Sequence, residues 1–211
     1  MPKIVDHEQR RRELAAAVWR VVREHGVQGA SLRAVARQAG WSPSSVQYYF
    51  ASQGELLDFA MRVVYDLTER RLARHDPPAD PRDAAFALFE LLLPLDAQTR
   101  RANEVWLAFL SRALVDSAAR ELNLDGNRKI ARVCRQALNL LAEGGCLRPG
   151  ADLELETARL HALFDGVALH AVTDPERMPP DRALRIFEHH LTSLIDPRHA
   201  DAETTTGTAQ P

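Results

Sequence analysis

Apolar residues recur along this chain at helical spacing, and no alternating run reaches strand length. Leu14, Val18, Val21 and Val22 fall on one stripe and predict a first helix over residues 6–25. Gly26 stands where a C-terminal cap belongs. Ser31 is a good N-cap, and Leu32, Val35, Ala36 and Ala39 make the inner face of a second helix, which Gly40 stops. A third helix is predicted over residues 42–50. A fourth starts at Ser52, whose spacing to Glu55 is that of a capping box. Its stripe of Leu57, Met61, Val64 and Leu72 carries it to about residue 74, where HDPPADP breaks the chain. Further helices are predicted over residues 81–93, 98–115, 117–143, 152–173 and 180–195. Pro94, the region of Asp116, GGCLRPG and DPERMPP separate them. The pattern is all-α, without an internal repeat. Residues 196–211 are polar, small and aromatic-free and are expected to form a disordered tail.

Charge sharpens this picture. Over 211 residues the formal net charge is only -2. Residues 1–50 nevertheless hold eight Lys and Arg against four acids, a formal +4 that leaves -6 on the remainder. A basic N-terminal part on an acidic body suggests one polyanion-facing end. No stretch approaches the ~18 uncharged apolar residues of a membrane span, so no membrane partner is expected. The opening MPKIVDHEQRRR carries acids and no apolar core, unlike a signal peptide. With two cysteines, Cys134 and Cys146, a reducing cytoplasm and buried free thiols are expected.

The short second and third helices, joined by a tight turn, form a helix-turn-helix pattern. Ala36 is small where the helices cross. Gly40, four residues later, supplies a left-handed turn. Val46, six residues after that, plugs the third helix back into the second. The plain alternative is two short bundle helices that bind nothing. In GWSPSSVQYYF, Ser42 caps the third helix and Pro43 occupies its first turn, where proline costs least. Ser44 and Ser45 follow among backbone N–H groups without helical partners. Free N–H groups, small hydroxyls and the positive end of a helix dipole suit a phosphate, though the same residues also read as a simple capped start. At 100° per residue, Val46, Tyr49 and Phe50 point mostly inward. Pro43, Ser44, Gln47 and Tyr48 point mostly outward. Gln47 suits an adenine edge in a major groove, and Tyr48 a phosphate or a thymine methyl. Tyr49 divides between core and contact. Arg33 and the cluster Arg10, Arg11 and Arg12 add positive charge nearby.

Over residues 7–64 these features resemble the N-terminal domain of the TetR family of bacterial transcription regulators. The resemblance rests on the long first helix, on GVQGASLRAVARQAGWSPSSVQYYF, and on the aromatic-Ala-Ser-x-x-Glu-Leu-Leu entry to the fourth helix. VWLAFLSRAL (105–114) and LFDGVALHAVTDPERMPP (163–180) resemble a BetI-type subgroup more loosely. The resemblance implies a helix-turn-helix DNA-binding domain over residues 1–51, and an effector-binding and dimerisation domain over 52–195 joined through the long fourth helix. It implies a cytoplasmic homodimer on a palindromic DNA operator, with the third helix in a major groove. A small-molecule effector would shift the fourth helix. Repression is the commoner outcome in the family; activation, or the absence of an effector, is the alternative.

Two departures bear on the DNA contacts. The family often has tyrosine where this chain has Gln47, so base preference does not carry over. It often has a phosphate-gripping lysine where this chain has Gln53, which stays a DNA-contact candidate by its position but lacks the charge. Effector-pocket candidates are Phe86, Phe89, Trp106, Phe109, Leu110 and Phe164, with Asn103 and His161 as polar handles. The resemblance implies a dimer interface on the last two long helices, about 152–173 and 180–195, which offer Leu160, Leu163, Val167, His170, Ile186 and His190.

Enzymatic chemistry finds little support. His161 and Asp165 share one helical face and are the remote alternative, a metal-dependent site. There is no HExxH, GxSxG, paired-cysteine motif or glycine-rich phosphate loop. No catalytic residue, cofactor or metal is therefore expected.

Overall fold

The computed structural model of the chain describes residues 7–200, with side chains from residue 9 to 198. Ten helices lie among the described residues: α1 (His7–Gly29), α2 (Leu32–Ala39), α3 (Pro43–Tyr49), α4 (Gln53–Ala73), α5 (Pro81–Glu90), α6 (Ala97–Ala113), α7 (Ser117–Glu143), α8 (Leu153–Thr173), α9 (Pro180–Ser193) and α10 (Pro197–Ala200). Among the described residues the extended elements reduce to one isolated bridge between Leu147 and Ile195. The all-α expectation holds, and none of the helices is long and apolar enough to cross a membrane.

Boundaries follow local chemistry. Gly26 takes φ 70° and breaks α1, but helical turns resume to Gly29 instead of stopping at the cap. Gly40 is left-handed at φ 68°, and its N–H donates to the carbonyls of Ala36 and Arg37. The Ser52 hydroxyl accepts from Glu55 N–H at 3.1 Å, whereas the Glu55 carboxylate accepts from Ala51 N–H at 2.9 Å. The reciprocal half of the expected box is thus shifted by one residue. α5 stops at Glu90 and gives way to turns, three residues before the expected end.

By packing, the chain forms two compact units that differ from a division at residue 51. The first comprises Met1–Arg71 with Asp96–Gly126, and the second Leu72–Leu95 with Asn127–Pro211. The first unit's core joins Leu14, Val18 and Val22 of α1 to Val35 and Ala36 of α2, Val46 of α3, Leu56, Ala60 and Met61 of α4, and Val105 and Phe109 of α6. Burial of these faces is the main stabilising term, at about 25 cal/mol for each Å² of apolar area removed from water. In the second unit Phe89 of α5 stacks on Phe187 of α9 with ring centroids 4.7 Å apart, and Phe164 of α8 meets the same ring at 6.5 Å. At the start of α8, Glu156 is buried between Arg148 and Arg159, at 3.1 and 2.8 Å.

Residues 196–200, counted with the tail from composition, are structured. Asp196 is buried, its N–H donates to the Cys146 carbonyl at 2.8 Å, and α10 follows. The remainder of the expected tail, residues 201–211, lies outside the described residues.

Candidate nucleic-acid interface

α3 spans seven residues, and its two faces differ in chemistry. Val46 is fully buried and Phe50, its C-cap, is buried behind it. The Phe50 ring meets Phe59 of α4 at 5.0 Å between centroids. These two anchors leave Ser42, Pro43, Ser44, Ser45, Gln47 and Tyr48 exposed along one side. Tyr48 is 79 % exposed, unusual for an aromatic side chain within a helix that packs. At the N-terminus, Ser42 Oγ accepts from Ser45 N–H at 3.1 Å and lies 2.9 and 2.8 Å from the Ser44 and Ser45 hydroxyls. The three hydroxyls therefore gather at the end where Pro43 supplies no N–H.

Tyr49 is half-buried. Its ring lies 5.7 Å from Trp41 and 5.4 Å from Tyr48, edge-on to the latter. It also lines a groove of about 240 Å³ with Arg11, Phe59 and Arg62. Arg33 is exposed on α2, and Arg11 and Arg12 are exposed on α1. Arg10 departs from its expected place among the free surface charges: its guanidinium carbon sits 4.6 Å over the Trp41 ring. Gln53 departs further. Its Nε2 donates to the Ala30 carbonyl, so this amide ties the start of α4 to the segment before α2. The ends of α4 and α6 are joined by Arg112, whose Nε and Nη2 donate to Asp58 at 3.0 and 3.2 Å. The role of Trp41, its contact with Arg10 and the Arg112–Asp58 pair escaped the sequence expectations. An aromatic in a turn between two helices was the one available signal.

The effector-pocket candidates divide between the two units. In the first, Phe109 is fully buried in the core, Trp106 packs against that core, and Leu110 is half-buried. Asn103 is buried, with Nδ2 donating to the Thr99 carbonyl at 2.9 Å. In the second unit Phe89 and Phe164 are committed to Phe187, and Phe86 is half-buried. His161 Nε2 is buried without a hydrogen-bond partner, 3.7 Å from Asp165 Oδ2. Burial pushes the Asp165 carboxyl above the ordinary carboxylate range, and His161 opposes that shift. Among the described residues no group of three or more His, Cys, Asp and Glu is placed to hold a metal ion.

Of the residues offered for a dimer face, Leu160 and Val167 are buried inside the subunit's own core, which removes them from a partner's reach. Leu163, Ile186 and His190 are half-buried and His170 is exposed. The exposed apolar residues of α8 are instead Leu155 (57 %) and Leu169 (40 %), with Ala158 and Ala162 exposed between them.

Comparison with known proteins agrees with both halves of the chain. Residues 14–59 match the model of bacterial regulatory proteins of the tetR family, and residues 81–196 match the C-terminal domain of BetI-type transcriptional repressors. The HTH-type transcriptional regulator PksA of Bacillus subtilis (strain 168) is 37% identical over 195 residues, covering 92% of this chain and 94% of that protein. A crystal structure of a transcriptional regulator from Rhodococcus sp. Rha1 superposes with a TM-score of 0.71 at 32% identity, covering 87% of this chain and 95% of that one. The multidrug binding protein EbrR, in a crystal structure with imidazole, superposes with a TM-score of 0.59 at 28% identity, covering 89% and 95%. With a helix-turn-helix whose third helix keeps a polar face exposed, and with relatives that are regulators and not enzymes, the chain belongs to the TetR family of bacterial transcriptional regulators.

Proposed function

We propose that the protein is a cytoplasmic homodimeric repressor that reads a palindromic DNA operator with α3 and releases it when a small-molecule effector binds the helical body. The observation that carries the DNA reading is the division of α3: Val46 and Phe50 are buried while Ser44, Ser45, Gln47 and Tyr48 are exposed. A side chain reads a base edge only if it projects into a groove while its backbone is held by packing. Gln47 then reads a base pair. Tyr48 contacts phosphate or a thymine methyl, and the cluster of Ser42, Ser44 and Ser45 hydroxyls approaches the backbone beside Pro43. Arg33 supplies phosphate attraction, and Tyr49 serves packing first. Repression is supported by the BetI-type repressor match over residues 81–196, and a small-molecule effector by the imidazole complex of EbrR.

The test is selection of duplexes from a randomised library by the full chain, followed by binding titrations over a range of salt. A two-fold symmetric site is expected. Gln47→Ala should relax preference at one position per half-site by about 1–3 kcal/mol. Arg33→Ala should reduce the slope of log affinity against log salt by about one. Equal losses on every sequence for Gln47→Ala would remove its reading role, and an unchanged salt slope would move Arg33 away from phosphate. A reporter with the selected site overlapping its promoter should be silenced by the protein. Increased transcription overturns repression.

A further inference from the structure

We propose that Trp41 and Arg10 are positioning residues for DNA reading: through Tyr49 they set the direction of Tyr48, the most exposed aromatic on α3. The proposal rests on the reading of α3 as the DNA-facing helix.

Trp41 occupies the turn between α2 and α3. Its backbone is fixed, because its N–H donates to the Ala36 carbonyl at 2.9 Å across the left-handed Gly40. Its ring touches two elements. Arg10 of α1 lies 4.6 Å over it, and the Tyr49 ring of α3 is 5.7 Å away at 48°. Tyr49 in turn meets Tyr48 edge-on, at 5.4 Å and 83°. The four side chains form a continuous path from α1, through the turn, to an outward side chain of α3.

That path answers a mechanical need. A seven-residue helix has few packing positions, and Val46 with Phe50 pins only one side of α3. Tyr48, at 79 % exposure, has no core to hold it. Its contact with Tyr49 fixes its ring, and Tyr49 is held by Trp41. The Arg10 guanidinium suits the Trp41 face because it is planar, permanently charged and weakly hydrated, and it is attracted to the negative face of the indole. A lysine ammonium matches only the charge. Arg10 thus acts on DNA through the orientation of the readers and not as a simple phosphate grip.

The experiment uses the full chain and two duplexes, one selected by the wild-type protein from a randomised library and one of the same composition scrambled. Trp41→Leu keeps an apolar residue but removes the ring. It should weaken the selected duplex by about tenfold while changing the scrambled one little. Trp41→Phe should recover most of the preference, because a ring remains for Tyr49. Arg10→Gln should narrow the gap between the duplexes in the same way, and Arg10→Gln with Trp41→Leu together should lose less than the product of the separate losses. A merely structural role would lower the melting temperature and weaken both duplexes alike. Equal loss on both duplexes, with a reduced salt slope and independent effects of the two substitutions, overturns the proposal and makes Arg10 a phosphate contact. Tyr48→Ala separates the two levels. If it erases the preference while Trp41→Leu preserves it, the positioning role falls alone. If Tyr48→Ala is silent on both duplexes, the DNA-facing reading of Tyr48 fails and the proposal with it.

Discussion

Single buried side chains make the alkaline stability of the protein predictable. Tyr65 of α4 donates its hydroxyl to the Leu122 carbonyl at 3.4 Å, and its ring lies so close to Gly126 that a Cβ there would fall 1.9 Å from the hydroxyl. Burial, aided by the Asp125 carboxylate, pushes its ionisation from 10.0 up to about 12. In the other unit burial, aided by Asp165, raises the Cys134 thiol from 9.0 to about 12. Both groups are held neutral by the fold, and the unfolded chain gives up their protons first. Their contributions are therefore complete below pH 9 and are lost as the pH climbs towards 12. Urea midpoints measured over this interval should fall steadily in the wild type. Cys134→Ala should remove the part of the decline that begins near pH 9, and Tyr65→Phe the part that begins near pH 10. Parallel declines in all three proteins would mean that neither burial controls the alkaline limb. The raised thiol also leaves little thiolate at neutral pH, which makes Cys134 a packing residue and not a reactive one.

Between elements, the joint of α4 and α6 depends on a missing side chain. Arg112 holds Asp58 through two hydrogen bonds and reaches Asp116 at 3.3 Å. The guanidinium fills the space over Gly54, where an added Cβ would stand 2.1 Å from Nη1. Gly54→Ala must displace Arg112, at a cost of about 1–2 kcal/mol for the paired charges. With Arg112→Ala already present the clash is gone, and alanine's better helix propensity should make the same change neutral or stabilising by about 0.5–1 kcal/mol. Equal destabilisation in both backgrounds, read from urea midpoints, would rule out the displacement. This joint was illegible in the sequence, because residues 54 and 112 meet only after folding. The caps were legible for the opposite reason: Ser31 to Ala34 and Ser42 to Ser45 are bonds three residues long, written in local chemistry. The helix-turn-helix was equally plain, since Val46 and Phe50 fall inward by periodicity alone. α8 resisted. It carries Leu155 and Leu169 on one side and Leu160, Phe164 and Val167 on another, and two apolar faces do not reveal which one the subunit keeps for itself. The bond from Gln53 to the Ala30 carbonyl was equally hidden, because a glutamine amide donates as readily to a backbone carbonyl as to a phosphate.

For the whole molecule, that second face of α8 is the one to follow. Leu155, Ala158, Ala162 and Leu169 recur at helical spacing and remain exposed, and two large leucines on such a stripe favour burial against another surface. Gly166 lies along the same stretch of α8, and apart from its chain neighbours and the adjoining helix backbone no atom comes within 4 Å of where its Cβ would stand. Open space beside small residues lets a second helix approach closely. A second copy of the chain suits this face, because the palindromic site proposed above would be matched by a two-fold assembly. Leu169→Glu places a charge there without touching the subunit's own core. The variant should keep its helicity and melt near the wild-type temperature at high dilution, while light scattering shows half the mass. Its grip on a full selected site should fall by about 10²-fold, because the second half-site no longer benefits from linkage to the first. Its affinity for a single half-site should be unchanged. A Leu169→Glu protein that keeps both the wild-type mass and full-site affinity would place the dimer contact elsewhere. A protein that loses half-site affinity as well would show damage to the reading unit, not to assembly.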